Sequence, residues 1–576
     1  MTMRTFTGLG SAAALALLAG CATGPAPSSP PGATSARAPA AAPSQTPLAI
    51  TCSALTGRTI PASEIGFPGG PATITGALLV PASPLAVADR AATPAASIRA
   101  ALPQRCKVQG RIAPIDGRAP DIEFQVNLPM EWNGRSVQYG GGGFNGTLIS
   151  GEALLPAARY DEPPPLAQGY VTYGTDSGHQ TLQRESPQAF ALNSEAFLNF
   201  AHASYKKVRD VAVAVMKLAY GRAPERMYFV GSSEGGREGL VMAQRYPRDF
   251  DGIFSRVPVI QWTGLQHAGL RDGAALMDRG WMDHAHVQLV NDAVLAACDA
   301  ADGAADGIVS DPVGCRSRFD VTKLRCTGAP AKDCLTDVQI RAVQTLHSPI
   351  DLGVELANGL HGYPGRGPGG EATPAGGAAG GWEAWWTGSR SPDIPPVPAN
   401  GIAWVYGYGA IQYIYAVSPN VDPRTYKAAD HAARVREVSA MMDATDPDLS
   451  AFEAHGGKLI LLENLADYAQ SPFAGIEYHD AVVQRLGRNR VDSFFKLYPA
   501  PGVDHVGTGA PANADLFPAL VAWVEQGRAP AGLVLLEQDP RPPFTVKRSR
   551  PLCEWPQFPH YRGGDVNAAG SFACAQ

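Results

Sequence analysis

Met227-Tyr228-Phe229-Val230-Gly231-Ser232-Ser233-Glu234-Gly235-Gly236-Arg237-Glu238-Gly239-Leu240 is the stretch whose reading decides the fold. Four apolar residues that read as a strand run into a G-x-S-x-G turn, and the residues after it read as a helix. A turn this sharp admits only small neighbours beside its central serine. Gly231 and Gly235 meet that demand and leave Ser233 exposed at the top of a sheet.

Outward from this turn the chain keeps the same alternation. Ile122, Phe124, Val126 and Leu128 alternate with polar residues, as a half-buried strand does. Ser136-Val137-Gln138-Tyr139 leads into Gly140-Gly141-Gly142-Gly143, and Tyr170-Val171-Thr172-Tyr173 leads into Gly174-Thr175-Asp176-Ser177-Gly178-His179. A helical stretch follows from about Ser194 to Tyr220. Strand-like sequence returns at Lys458–Leu462 and Phe494–Tyr498, with a helix from about Ala514 to Glu525. The succession specifies an α/β class, an α/β-hydrolase core interrupted by a large insertion. We expect residues 48–258 and 446–576 to form that core and residues 259–445 to form an inserted lid. The lid is rich in Gly/Pro loops and carries the aromatic cluster Trp382, Trp385 and Trp386.

A serine becomes a strong nucleophile only when a base takes its proton and an acid orients that base. On this fold the chain order is Ser, Asp or Glu, His. Asp467 follows the strand-like run 458–462, and His505 follows 494–498 in Pro501-Gly502-Val503-Asp504-His505-Val506-Gly507. Glu463 and Asp504 are rival acids. Glu463 lies at the strand end, and Asp504 adjoins His505, where neighbouring side chains diverge. His179, His455 and His479 are rival bases, but none lies in a loop after the last strand. An oxyanion hole needs two backbone N–H groups. One is expected from Glu234, the residue after the nucleophile, and one from the loop Gly140–Gly143.

The net charge of −6 over 576 residues, with no long basic run, gives no support for nucleic-acid binding. The chain starts with Arg4 and a short apolar run, Ala12–Ala19, that ends in Leu18-Ala19-Gly20-Cys21. This resembles a bacterial lipobox, in which Cys21 is lipidated; the alternative is an ordinary signal peptide. Ala22 after the cysteine favours the outer membrane. Residues 22–47 are Ala, Pro and Ser and read as a disordered tether, with ordered sequence from near Ile50. Membrane contact is expected through the lipid anchor only. Beyond Cys21 there are eight cysteines, an even number that suits disulfides in an exported protein. Spacing alone leaves about 105 pairings. Short loops favour Cys298–Cys315 and Cys326–Cys334, which leaves Cys52–Cys106 and Cys553–Cys574.

Asp299-Ala300-Ala301-Asp302-Gly303-Ala304-Ala305-Asp306-Gly307-Ile308 packs three carboxylates into one short loop beside Cys298. Such a loop suits calcium more than any other ion, although its spacing is not that of an EF-hand. A solvated acidic turn is the alternative, but Cys298 beside the loop and Cys315 shortly after it favour a pinned structural calcium site. Zinc-ligand spacing, a phosphate-binding loop and any signal for an organic cofactor are absent from the sequence.

From about Cys52 to its end, the chain resembles the tannase/feruloyl esterase family, which includes the bacterial mono(2-hydroxyethyl) terephthalate hydrolases. The likeness rests on Trp132-Asn133-Gly134-Arg135, the glycine loop through Asn145-Gly146, Thr175–His179, the elbow Ser233–Gly239, and Cys298-Asp299 through Asp306–Val309. It extends to Leu520–Glu525, Arg550–Cys553 and Phe572–Cys574. The resemblance implies a serine esterase acting on small esters of aromatic acids through an acyl-enzyme. The acids would be phenolic, cinnamoyl or terephthalic, and a feruloyl/chlorogenate-type or tannase-like enzyme is the alternative to a terephthalate-ester hydrolase. A different class, a non-catalytic surface lipoprotein that binds aromatic ligands, stays open. The resemblance makes Ser233 nucleophile, Asp467 acid and His505 base, with the oxyanion amides on Gly143 and Glu234. It makes Asp299, Asp302 and Asp306, with the carbonyls of Ala304 and Ile308, ligands of a structural calcium ion. It implies a lid whose Trp385 flanks the acyl group, with Trp262 in the acyl pocket. Two departures stand out. Ser232 and Val506 occupy positions where the family carries a disulfide between the nucleophile and base loops. The lid arginine that meets a substrate carboxylate has no secure counterpart, Arg390 being the nearest substitute.

Overall fold

The computed structural model describes residues 45–84, 100–181, 186–375 and 378–576. The lipobox Cys21 and most of the expected tether lie outside the described residues. The tether stops earlier than expected, because Thr46 and Pro47 already pair antiparallel with Trp132 and Glu131.

The molecule is organised on one ten-stranded sheet. In chain order its strands are β1 (Thr59–Ile60), β2 (Ala72–Val80), β3 (Arg105–Ile112), β4 (Ile122–Pro129), β5 (Arg135–Tyr139), β6 (Val171–Thr175), β7 (Arg226–Ser232), β8 (Gly252–Arg256), β9 (Lys458–Asn464) and β10 (Phe495–Ala500). Their spatial order is β10-β9-β8-β7-β5-β6-β4-β3-β2-β1. The half from β6 to β10 is parallel, and the half from β4 to β1 is antiparallel. The exchange of β5 and β6 relative to chain order belongs to the α/β-hydrolase arrangement expected from the sequence.

Alternate residues of the parallel strands go to opposite faces, as a strand's period of two requires. Met227, Phe229, Ile253, Leu459 and Leu461 join one buried cluster with residues of the helices α1 (Ser204–Tyr220), α2 (Glu234–Arg245) and α3 (Pro472–Leu486). Tyr228, Val230, Phe254, Ile460 and Leu462 join the other with Leu516, Phe517, Leu520 and Trp523 of α4 (Leu516–Gln526). Both faces are covered, which is why these strands read as continuous apolar runs. The expected helix 194–220 is one continuous rod interrupted by a π turn at Asn199–Ala203.

Between β8 and β9 the chain leaves the sheet for residues 257–457. This excursion carries helices Trp262–Ala275, His284–Cys298 and Ile402–Ala410. It builds two further apolar clusters, one around Trp262, Trp404 and Tyr415 and one around Trp382 and Trp386. All four disulfides join as the loop lengths suggest: Cys52–Cys106, Cys298–Cys315, Cys326–Cys334 and Cys553–Cys574. Among the described residues no helix is long and apolar enough to cross a membrane.

Candidate active site

Ser233 sits between β7 and α2 with φ +61° and ψ −121°, a conformation costly for a residue with a side chain. The glycines around it make the turn possible. A Cβ on Gly231 would lie 2.1 Å from the Gly235 carbonyl oxygen, and one on Gly235 would lie 2.6 Å from the Gly141 oxygen. The Ser233 N–H donates to the Arg256 carbonyl at 3.0 Å, which pins the turn to the end of β8. The serine hydroxyl is left at the mouth of a cavity of about 200 Å³.

His505 and Asp467 reach the same point from the loops after β10 and β9. His505 Nε2 is 3.0 Å from Ser233 Oγ, and His505 Nδ1 is 2.7 Å from Asp467 Oδ2. Asp467 Oδ1 accepts the N–H groups of Ala469 at 2.8 Å and Gln470 at 3.0 Å, which fixes the carboxylate's direction. The rival acids turn elsewhere. Asp504 accepts from the N–H of Thr508 at 2.7 Å and meets its hydroxyl at 2.8 Å. Glu463 accepts from Gln470 Nε2 at 2.9 Å. Of the rival histidines, His179 is held against the Phe144 carbonyl at 2.9 Å.

Gly143 and Glu234 both line the cavity. Gly143 adopts φ +58°, and Glu234 opens α2, where N–H groups have no acceptor within the helix. The Glu234 carboxylate faces away, accepting from Arg237 Nε at 2.7 Å. Burial pushes that carboxyl up to about 7, against the pull of Arg237. The glycine loop is held from behind by Glu238, which accepts from the Gly141 N–H at 3.0 Å and from Asn145 Nδ2 at 2.7 Å.

The walls are apolar and aromatic: Phe144, Val259, Trp262, Leu265, Trp385 and Tyr406. Phe144 packs edge-on against Trp262 at 5.8 Å and against Tyr406 at 5.1 Å. Trp385 stands edge-on to the His505 ring at 5.0 Å. Trp262 and Trp385 both line this cavity. Arg390 does not: it is exposed and paired with Asp393 at 3.0 Å, away from the cavity lining. A proline-rich loop with a carboxylate three residues on gives the guanidinium a partner at the surface. Among the described lining residues there is no lysine or arginine. Sequence reasoning missed Leu265, Gln266, Tyr406, Glu238 and Arg256. Their only signal was an ordinary residue type in a helix or at a strand end.

In the aspartate loop, Asp299 accepts from the N–H groups of Asp306 and Gly307. Asp302 accepts from the Ala304 N–H at 2.9 Å and the Ser310 hydroxyl at 2.6 Å. Asp306 accepts from the Ile308 N–H and pairs with Arg550. Burial, with the charges of Asp306 and Asp299 beside it, raises the Asp302 carboxyl. All the donors are oxygens, which suits a hard cation. Among the described residues, however, no three Asp, Glu, His or Cys side chains converge as metal ligands. Arg550 already places a positive charge on Asp306.

Comparison with known proteins agrees with this architecture. The family model for tannase and feruloyl esterase matches residues 106–575. An uncharacterized esterase of Agrobacterium fabrum is 35% identical over 91% of this chain and 93% of its own. The mono(2-hydroxyethyl) terephthalate hydrolase of Piscinibacter sakaiensis is 33% identical over 84% of this chain and 87% of its own. The crystal structure of feruloyl esterase B from Aspergillus oryzae superposes with a TM-score of 0.71 at 22% identity, covering 89% of this chain and 98% of the other. The fold is that of the α/β-hydrolases. The chain belongs to the tannase and feruloyl esterase family, a family of carboxylic-ester hydrolases.

Proposed function

We propose that this protein hydrolyses small, uncharged esters of aromatic acids through a serine acyl-enzyme. The observation that carries the reading is the chain of contacts from Ser233 Oγ through His505 to Asp467, at 3.0 and 2.7 Å. His505 Nε2 takes the hydroxyl proton as Oγ attacks the ester carbonyl carbon. The oxyanion that forms is held by the N–H groups of Gly143 and Glu234. Collapse breaks the bond to the alcohol oxygen, which receives the proton from His505 and departs. Water, deprotonated by the same imidazole, then attacks the acyl carbonyl, and the free acid leaves Ser233. Asp467 keeps the imidazole oriented and stabilises its charged form.

The aromatic walls support an aromatic acyl group, with Trp262 and Trp385 flanking it. The absence of a cationic side chain among the described lining residues favours a neutral or phenolic acyl group over one with a free carboxylate. A fluorophosphonate probe, with a panel of methyl ferulate, methyl gallate, mono- and bis-hydroxyethyl terephthalate, tests the reading. Ser233→Ala should lose probe labelling and about 10⁴-fold or more of turnover. Near-normal turnover in that variant would refute the assignment.

We also propose that residues 259–445 act as the lid, that Cys21 carries a lipid anchor on an exported enzyme, and that the aspartate loop holds a structural calcium ion. The ligands would be the Asp299, Asp302 and Asp306 side chains and the carbonyls of Ala304 and Ile308, with Arg550 as competitor for Asp306. Calcium at a hundredfold excess over its dissociation constant should add about 2.7 kcal/mol of stability relative to chelator-treated protein. An unchanged melting temperature after confirmed metal removal would count against the ion.

A further inference from the structure

Arg256 ends β8 and is 2% exposed. Three of its groups serve the reacting residues. Its carbonyl accepts the Ser233 N–H at 3.0 Å. Its Nη1 donates to Ser232 Oγ at 2.7 Å, and its Nη2 donates to the His505 carbonyl at 3.0 Å. Ser232 precedes the serine of the elbow, while the His505 carbonyl belongs to the base itself. One planar fork therefore joins two segments far apart in the chain. A guanidinium's N–H groups diverge at fixed angles, so satisfying both acceptors sets their separation.

This cation is costly to bury and makes no direct ion pair among the described residues. Burial works against its charge, and Asp467, Asp504, Glu463 and the Tyr160 hydroxyl face it and offset that. Among the described residues no other side-chain hydrogen bond ties Ser232 to the loop that carries His505.

We propose that Arg256 is a positioning residue whose fork sets the distance between Ser233 and His505, with the Ser232 hydroxyl as its anchor on the nucleophile side. The proposal rests on the reading of Ser233 and His505 as nucleophile and base. Without the fork, the His505 backbone is released and Nε2 drifts from Oγ, while the aromatic walls stay in place. Turnover then suffers and substrate binding does not.

The test is steady-state kinetics of the full-length protein with methyl ferulate across pH, for Arg256→Gln, Arg256→Lys, Ser232→Ala and the Ser232→Ala/Arg256→Gln pair. Arg256→Gln should lower kcat about 100-fold, the cost of a misplacement near 1 Å, with KM within about twofold. Arg256→Lys keeps the charge yet should still lose kcat, because a point donor cannot span both acceptors. Ser232→Ala removes one charge-assisted hydrogen bond and should lower kcat about tenfold. In the Arg256→Gln background it should add nothing further, since the two act as one unit. Additive losses, or wild-type kcat in folded Arg256→Gln, would overturn the proposal. If Arg256→Gln fails to fold, Ser232→Ala decides alone: wild-type kcat in that variant overturns it. Wild-type protein that neither takes the fluorophosphonate at Ser233 nor turns over ester would instead remove the catalytic reading. Labelled, active wild type matched by both variants removes only the positioning role.

Discussion

The Ser233 turn and the His505 loop meet at one cavity, but different forces hold them. At Ser233 the constraint is close approach of backbone to backbone: Gly231, Gly235 and Gly141 touch where no Cβ fits. At His505 the constraint is polar and long-range. Asp467, Arg256 and Asn464, whose Nδ2 donates to the Asp504 carbonyl at 2.6 Å, fix the loop through side chains at the ends of two strands, β8 and β9, and in the loop after β9. Steric constraints fail abruptly, because backbone cannot yield. Hydrogen-bonded constraints fail in steps, one donor at a time.

The sharpest way to break this contrast is Gly231→Ala. Its new methyl would meet the Gly235 oxygen, so we expect the turn not to close, at a cost of about 4 kcal/mol or more, with loss of probe labelling. A folded, labelled variant would show that the turn yields after all. Asp467→Asn comes next. The fold should persist while kcat falls about 10⁴-fold, because the imidazole loses its orienting charge. Comparison of the melting curve with the turnover separates the two effects. The smallest effect belongs to Glu463→Gln. Burial, reinforced by the charge of Asp467, holds the Glu463 carboxyl well above its ordinary 4.5. The native chain therefore keeps a proton that the unfolded chain has released. Stability from this group is complete below pH 4.5 and is lost as pH rises toward the native value. Glutamine has no proton to lose, so the variant's advantage in melting temperature should be absent below pH 4.5. It should grow to about 2 °C at neutral pH. A constant difference across pH would show that the carboxyl is not the cause.

The same contrast explains what could be read from the sequence. The elbow is written in adjacent residues, and strand, turn and helix fall where Met227–Leu240 put them. Asp467 and His505 were legible because each follows an apolar run by a few residues. The strands β1 to β3 were not singled out, since their partly exposed, polar-interrupted pattern resembles loops. Arg256 was invisible: as the last residue of a strand it looks like a solvated end, and only the assembled sheet shows what its guanidinium meets. With Ser232 and Val506 at the family's disulfide positions, packing and hydrogen bonds are left to hold the two loops, and that much follows from the sequence. It did not say which residue makes them. Arg390 was misplaced for the opposite reason, since an arginine in an aromatic-rich segment carries no mark of the direction it faces.

Apart from Phe144, the apolar and aromatic walls, Val259, Trp262, Leu265, Trp385 and Tyr406, belong to the single excursion between β8 and β9, while Ser233 and His505 stand in the turn after β7 and the loop after β10. Appetite and chemistry are thus inherited on separate stretches of the gene. A lineage that rewrites residues 257–457 can change which esters fit and leave the Ser233 turn and the His505 loop untouched. Relatives with different ester preferences should differ there first.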